Sequence, residues 1–383
     1  MRILQLHNHY REPGGEDAVV EAERALLEGA GHEVVRFERT NPVGVAATAG
    51  SLLAAPWNPV TASAVRRLVR TRRPSVAHVH NTWFSMSPSV IGALHREGVP
   101  TVMTVHNYRL ACINGQLLRQ GKPCQICVGT DPWSGVRYRC FRDSVAGSAV
   151  AAATISLNRS LGTWEDRVDR FLVLTDFMRD ILVRTGLRSD RIDLTPNFVD
   201  DPGPRRSMPG QSKTVLFVGR LAPEKGIDLL IDCWERSAPG GLTLEVVGDG
   251  PLLTAMRKRA VPGVVFRGRL DRAEVRSLML TSRALAFPSI WYEGQPMVIL
   301  EALAAGLPVF ASDLGGTAET VGEGGLVVDS WSAFSFADWS DEVLNSVGSA
   351  GRRRWESRFT PQRHLESLIS SYGSATYSKK SGS

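Results

Sequence analysis

The sequence predicts an α/β protein made of two doubly wound parallel sheets, and three observations carry that expectation. From Lys213 onward, six short β-branched or apolar runs (TVLFVGR, LTLEVVGDG, VVFRGRL, ALAFPS, LPVFAS and GLVV) alternate with segments of helical length. Alternation of this kind calls for parallel strands joined by crossover helices. The first half repeats the theme with MRILQLH, EVVRF, SVAHVH, TVMTVH, FLVLT and IDLTPNF. Between the halves, DDPGPRRSMPGQSK holds three prolines and two glycines with no apolar period, the composition of a linker.

In chain order, VVEAERALLEGAG and VIGALHREG are helices of the first half. GIDLLIDCWERS, PLLTAMRKRA and DRAEVRSLMLTS serve the second half, with apolar residues spaced at three and four. At 383 residues the chain exceeds the size at which one core keeps growing. The expected division is a first domain over 1–199, a linker over 200–213 and a second domain over 214–355. A closing helix over 356–375 has the option of crossing back to the first domain, and ATYSKKSGS is expected to be a mobile polar tail. No repeat of solenoid length appears.

Hydrophobic residues at 43% and charged residues at 22% are those of an ordinary folded chain and exclude disordered or collagen-like classes. No run of about 18 apolar residues occurs, and MRILQLHNHY lacks the apolar core of a leader, so a cytoplasmic location is expected. The net charge of +6 permits nucleic acid, anionic lipid or phosphorylated substrates without choosing among them.

Ligands of open parallel sheets bind at the carboxyl ends of strands, so the loops after strands should hold the chemistry. SIWYEGQPMVILEALAAGLPVFASDLGG, from Ser289 to Gly316, is the most informative of these. Pro296 suits the first helical position, in a helix ending before Gly306. Its first turn then exposes the N–H groups near Met297 and Val298 to an anion, which Gly294 lets approach closely. Glu293 beside that site would repel phosphate unless it faced sugar hydroxyls. On helical geometry, Glu301 lies about 80° around and roughly 12 Å along from Glu293, where its carboxylate can accept from ribose hydroxyls. A solvated Glu301 and a Glu293 that merely favours the helix start remain the simpler alternative.

The Glu293 to Glu301 spacing, preceded by FPSIWYEG and followed by EALAAGLPVFASDLGG, resembles the signature of retaining glycosyltransferase family 4, whose members have the GT-B fold: two Rossmann-like domains facing across a cleft. VGRLAPEKGIDLLI and the glycine pair of HYREPGGEDAVV match further motifs in the family's order. The resemblance implies transfer of a sugar from a nucleotide-diphosphate sugar to an acceptor hydroxyl with retention, in polysaccharide, glycolipid or natural-product biosynthesis. A sugar-nucleotide epimerase of similar architecture is the alternative. It implies that the first domain serves the acceptor and the second binds the nucleotide sugar.

By the same resemblance, Arg220 and Lys225 neutralise the donor diphosphate, Gly14 and Gly15 form a loop near donor phosphate and acceptor, and His106 contacts a sugar hydroxyl. Glu293, Gly294, Gln295, Pro296, Met297, Val298 and Glu301 line the donor site. The base is expected near Arg269 and Leu270. Asn107 stands where the family pattern has Asp, which puts any role of that carboxylate in doubt. No catalytic metal is implied, and no Asp-x-Asp follows a strand.

Four of the five cysteines (Cys112, Cys124, Cys127 and Cys140) fall within 29 residues after the His106 strand. Four thiolates suit a tetrahedral zinc site; reduced free thiols and disulfides are the alternatives, the last disfavoured in a reducing compartment. VRRLVRTRRP carries five arginines, either a solvated helix face or a contact with anionic membrane that would suit a lipid-linked acceptor. A nucleic-acid partner is not expected, because no binding module accompanies the basic residues. A nicotinamide dehydrogenase is not expected, because HNHYREPGGED stands where its glycine fingerprint would be.

Overall fold

The structure, a computed structural model, describes residues 1–11, 14–237 and 240–381. It divides into two compact units: residues 1–119, 124–195 and 364 onward form one, and residues 120–123 and 196–363 the other.

The first unit carries β1 (Arg2–His9), β2 (Glu33–Thr40), β3 (Val76–Asn81) and β4 (Thr101–Val105). The short pair β5 (Leu118–Arg119) and β6 (Lys122–Pro123) lies in the cysteine-bearing segment, and β7 (Arg170–Val173) and β8 (Ile192–Leu194) follow. The six long strands form a parallel sheet in the order β2-β1-β3-β4-β7-β8. Every residue of β3 and β4 is buried, so the polar side chains they carry, among them His78, His80 and Thr104, must find partners inside the fold.

The second unit repeats the plan with β9 (Thr214–Val218), β10 (Thr243–Val247), β11 (Val264–Gly268), β12 (Ala284–Phe287), β13 (Val309–Ser312) and β14 (Gly325–Val328). Their order is β11-β10-β9-β12-β13-β14, again parallel. Strand order reverses between β9 and β12, and in the first unit between β1 and β3. Loops leaving the carboxyl ends of strands at such reversals hold the ligands of open α/β sheets. Arg220 and Lys225 follow β9, Glu293 follows β12, and Gly14 follows β1.

Three expectations change. Residues 200–213 are no loose tether. The Arg205 guanidinium donates to the carbonyls of Met279 and Ala305 at 3.0 Å each and of Ser282 at 2.6 Å, and Arg283 donates to Gly210 O at 3.0 Å. Prolines and polar residues hid a segment fixed by carbonyl contacts. The tail ATYSKKS is helical, because the last helix runs over Pro361–Ser381. Its Leu368, Tyr372 and Ala375 are fully buried in one core with Ile3, Leu27, Val76, Val102 and Leu172. Finally, Pro296 is the residue before the helix, with φ −67° and ψ 121°, and the helix spans Met297–Ala304.

Candidate active site

In the second unit, the turn after β9 and the loop after β12 meet at one carboxylate oxygen. Glu293 Oε1 accepts from Lys225 Nζ at 2.6 Å, Ser289 Oγ at 2.9 Å and Trp291 Nε1 at 2.5 Å. Lys225 also stands over the rings of Trp291 and Phe287, at 5.2 and 5.8 Å from their centroids. Two glycines make this possible. Gly226 has φ +66°, and a Cβ there would fall 2.0 Å from Pro288 O; Gly315 has φ +65°, and a Cβ there would fall 2.6 Å from Glu293 O. Both positions need a left-handed backbone and no side chain. The bridge between Glu293 and Gly315, with Gly316 N donating to Glu293 O at 3.0 Å, locks the Glu293 backbone.

Glu293 therefore faces a lysine, and the repulsion expected between this carboxylate and a phosphate is offset. It stands outside the helix, so the helical offset expected between Glu293 and Glu301 does not apply. Glu301 is half-buried on the helix, and burial raises its carboxyl, with Arg272 opposing. Met297 and Val298 supply the first N–H groups of that helix, which lack intrahelical acceptors, and their side chains pack on the core beneath. Gly294 is half-buried and Pro296 buried in the loop before it. Gln295 is buried and its Oε1 accepts from Asn197 N at 2.6 Å, so it braces the loop. Arg220 is exposed, and its guanidinium makes no hydrogen bond or ion pair among the described residues. Arg269, exposed, and Leu270, half-buried, directly follow β11.

In the first unit, His106 follows β4, and its Nε2 lies 3.0 Å from Nδ1 of His80 on β3. Behind them is Glu23, buried at 1% exposure on the helix Gly15–Gly29. Its carboxylate lies 3.3 Å from His80 Nε2 and 2.9 Å from His364 Nε2. His78 completes the cluster, its Nε2 2.7 Å from Thr104 Oγ1 and its Nδ1 2.8 Å from the Tyr372 hydroxyl. Burial pushes the His106 imidazole down to about 3 and His78 to about 4, in both cases against the charge of Glu23. Burial also works against a charged Glu23, but the His364 hydrogen bond and the nearby His78 hold its carboxyl below the usual range. The result is one buried anion among largely neutral imidazoles. Two neutral rings share one proton in the His80–His106 hydrogen bond, so the tautomer of His80 decides whether His106 Nδ1 donates or accepts.

Beside His106, Asn107 Oδ1 accepts from Arg109 N at 3.0 Å while its Nδ2 donates to the Tyr10 hydroxyl at 3.2 Å. Tyr10 donates in turn to Glu16 Oε2 at 2.9 Å. Burial pushes the Glu16 carboxyl up to about 7 against the Tyr10 hydrogen bond. An amide at 107 can both give and take here, whereas aspartate would set a second carboxylate against Glu16. Among the described residues, His7 Nδ1, Glu16 Oε1 and Arg109 Nε are buried without hydrogen-bond partners, capacity that water or a ligand can meet. Gly14 precedes the helix that Gly15 begins; its N–H donates to Asp17 Oδ2 at 2.8 Å. Gly14 has ordinary φ of −123°, and a Cβ there would meet nothing within 4 Å. The fold thus leaves open space where glycine stands. A pocket beside His106 is lined by Trp83, Arg109, Leu110, Ile113, Ile155 and Trp164 among others.

Both halves match known family models. Residues 13–197 match a glycosyl transferase 4-like domain, and residues 212–346 match glycosyl transferases group 1. The chain belongs to glycosyltransferase family 4. Relatives of this chain include the GDP-mannose-dependent alpha-(1-6)-phosphatidylinositol monomannoside mannosyltransferase of Mycobacterium tuberculosis, 34% identical over 194 residues, which are 42% of this chain and 50% of that protein. The chain thus spans about half the length of that relative. The alpha-maltose-1-phosphate synthase of Mycolicibacterium smegmatis is 27% identical over 78% of each chain. Among solved structures, the sucrose-phosphate synthase of Thermosynechococcus elongatus superposes with a TM-score of 0.71 at 17% identity, covering 97% of this chain and 98% of that one. Anabaena HepE in complex with UDP and glucose gives 0.65 at 17% identity over 98% and 100%. The fold of the chain is of the GT-B class.

Sequence reasoning missed Ser289, Trp291, Tyr10, Glu16, Arg109, His80 and Glu23. The signal for His80 was present: His78 and His80 alternate in a buried strand and so share one face. Glu23 sits among the buried residues of its helix, a place where an unpaired carboxylate is not tolerated. The five arginines of VRRLVRTRRP lie on and just after the helix Pro59–Arg72, and two of them, Arg66 and Arg70, share Glu97 at 2.9 Å, which removes part of that basic face. Among the described residues, no helix is long and apolar enough to cross a membrane.

Proposed function

We propose that this glycosyltransferase moves a sugar from a nucleotide-diphosphate sugar to an acceptor hydroxyl with retention at the anomeric carbon. The observation that carries the reading is the Lys225–Glu293 pair, anchored by Ser289 and Trp291 and placed just before the helix Met297–Ala304. That arrangement offers cations and first-turn N–H groups to a diphosphate and a fixed acceptor oxygen to sugar hydroxyls. Lys225 and Arg220 meet the charge that grows on the leaving phosphate, and catalysis rests on positioning and on that electrostatic stabilisation. Glu301 is assigned to the ribose, and the backbone after β11 to the base. In the first unit, His106 is assigned to a sugar hydroxyl, with Gly14 and Gly15 giving close backbone approach. The apolar pocket beside His106 favours an acceptor with an apolar part, such as a lipid-linked saccharide, in keeping with the lipid acceptor in the mannosyltransferase's name.

The test is thermal unfolding with UDP, GDP, ADP, CDP and dTDP and their sugars, because a ligand at 100 times its dissociation constant adds about 2.7 kcal/mol. Stabilisation by one nucleotide family is expected, with loss of that response in Lys225→Met. Product formed from donor alone, with no acceptor, would move the assignment to an epimerase.

A further inference from the structure

The segment between His106 and the helix Val145–Ser160 has little to hold it. Its regular structure is the two-residue strands β5 and β6 and the short helix Ser134–Arg137. Leu117, Gln120, Arg139, Arg142 and Asp143 all take positive φ there, a conformation that costs a side-chain-bearing residue energy and persists only where the surroundings enforce it. All four of its cysteines line one small cavity, whose other walls include Leu117, Leu118 and Ile126. None of the four is in a disulfide, and each is buried or half-buried. The lining offers sulfur and no carboxylate or imidazole, a donor set that selects zinc over the hard cations.

We propose that Cys112, Cys124, Cys127 and Cys140 bind one structural zinc ion. The Glu23, His78 and His80 ligand atoms lie within 4.8 Å of one another, but their ring nitrogens are already engaged by Thr104, Tyr372, His106 and Glu23. The thiols are less tightly gathered, and the Cys112 thiol donates to Asn114 Oδ1 at 2.9 Å. Binding breaks that contact and releases the thiol protons to solvent. The ion ties the two ends of the segment to its middle. The consequence reaches the pocket beside His106: Ile113 walls both cavities, and its carbonyl and that of Asn114 accept from the Arg109 guanidinium at 3.2 and 3.3 Å.

Metal analysis of the full chain, produced without added zinc, decides the matter independently of any sugar transfer. About one zinc per chain is expected, released by a mercurial reagent, replaceable by cobalt with intense thiolate-to-metal absorption, and retained in Cys233→Ser, whose thiol lies in another core. Removal by a strong chelator should lower the melting temperature. Protein without metal whose four thiols all react with a thiol reagent in the folded state overturns the proposal, as does a disulfide found by alkylation without reductant. Because loss of folding in Cys127→Ser would give no reading, the wild-type stoichiometry and the cobalt spectrum carry the result.

Discussion

The two units solve the problem of placing charged groups in opposite ways. In the second, a lysine and a glutamate from two strand-following loops meet at 2.6 Å, the lysine keeping partial access to water, with side-chain exposures of 23% and 9%. In the first, a carboxylate is sunk among histidines drawn from β3, the β4 end and the last helix, at 1% exposure. A pair at the rim can exchange its partner for a ligand. A buried carboxylate cannot be left alone, because an uncompensated charge in the interior is expensive. The contrast teaches that the rim pair is suited to chemistry and that the buried cluster holds the sheet around His106 in shape.

The largest expected effect tests the rim. Glu293→Gln keeps the shape but not the charge, and turnover should fall about 100-fold to 1000-fold, the usual cost of one missing electrostatic contact. The melting temperature should change little. Steady-state rates with donor and acceptor, beside a melting curve, check both parts. A variant that unfolds would show that the pair is structural and break the comparison.

Next, Glu23→Ala should lower stability by about 3 kcal/mol, from the cavity it opens and the hydrogen-bond partner that buried His364 loses, measured by urea unfolding. If stability holds and turnover alone collapses, the cluster belongs to the chemistry after all.

The third prediction is a pH dependence. In the unfolded chain imidazoles titrate near about 6.5, whereas in the fold His78 and His106 are pushed down to about 4 and about 3, and His7 and His80 are also lowered. Between these limits the unfolded state binds more protons, so the stability they contribute is present above about 6.5 and lost as pH falls toward 4. Glu16 works the other way, since its raised carboxyl, at about 7, takes a proton in the fold first. Glu301, also raised by burial, acts in the same sense as Glu16, and two acids do not outweigh four imidazoles. The melting temperature should fall from pH 7 to pH 5, and more steeply in Glu16→Gln; an unchanged value would mean that the cluster is not buried in solution.

The same contrast separates what the sequence could show from what it could not. The strands are visible chiefly as short β-branched or apolar runs between turn residues, although some, such as EVVRF and LTLEVVGDG, carry charged residues. Lys225 and Glu293 are visible because each sits in a compact motif of turn glycines and a helix start. The cluster around Glu23 is not, since His364 lies 341 residues away from it and no local pattern links the two. Residues 200–213 misled for a related reason. Arg205 and Arg283 fix that stretch through carbonyl oxygens, and every residue carries one of those whatever its side chain. Pro296 misled by one position: proline favours the first helical position, but here its extended backbone, with ψ 121°, places it just before the helix.

The return of the last helix to the first sheet sets an order of assembly during synthesis. Glu23 and the core around Ile3 and Val76 leave the ribosome well before His364, Leu368 and Tyr372, which close that core. At ordinary elongation rates the wait is on the order of tens of seconds. Residues 196–363 can finish folding in that interval, before the core around Ile3 is closed.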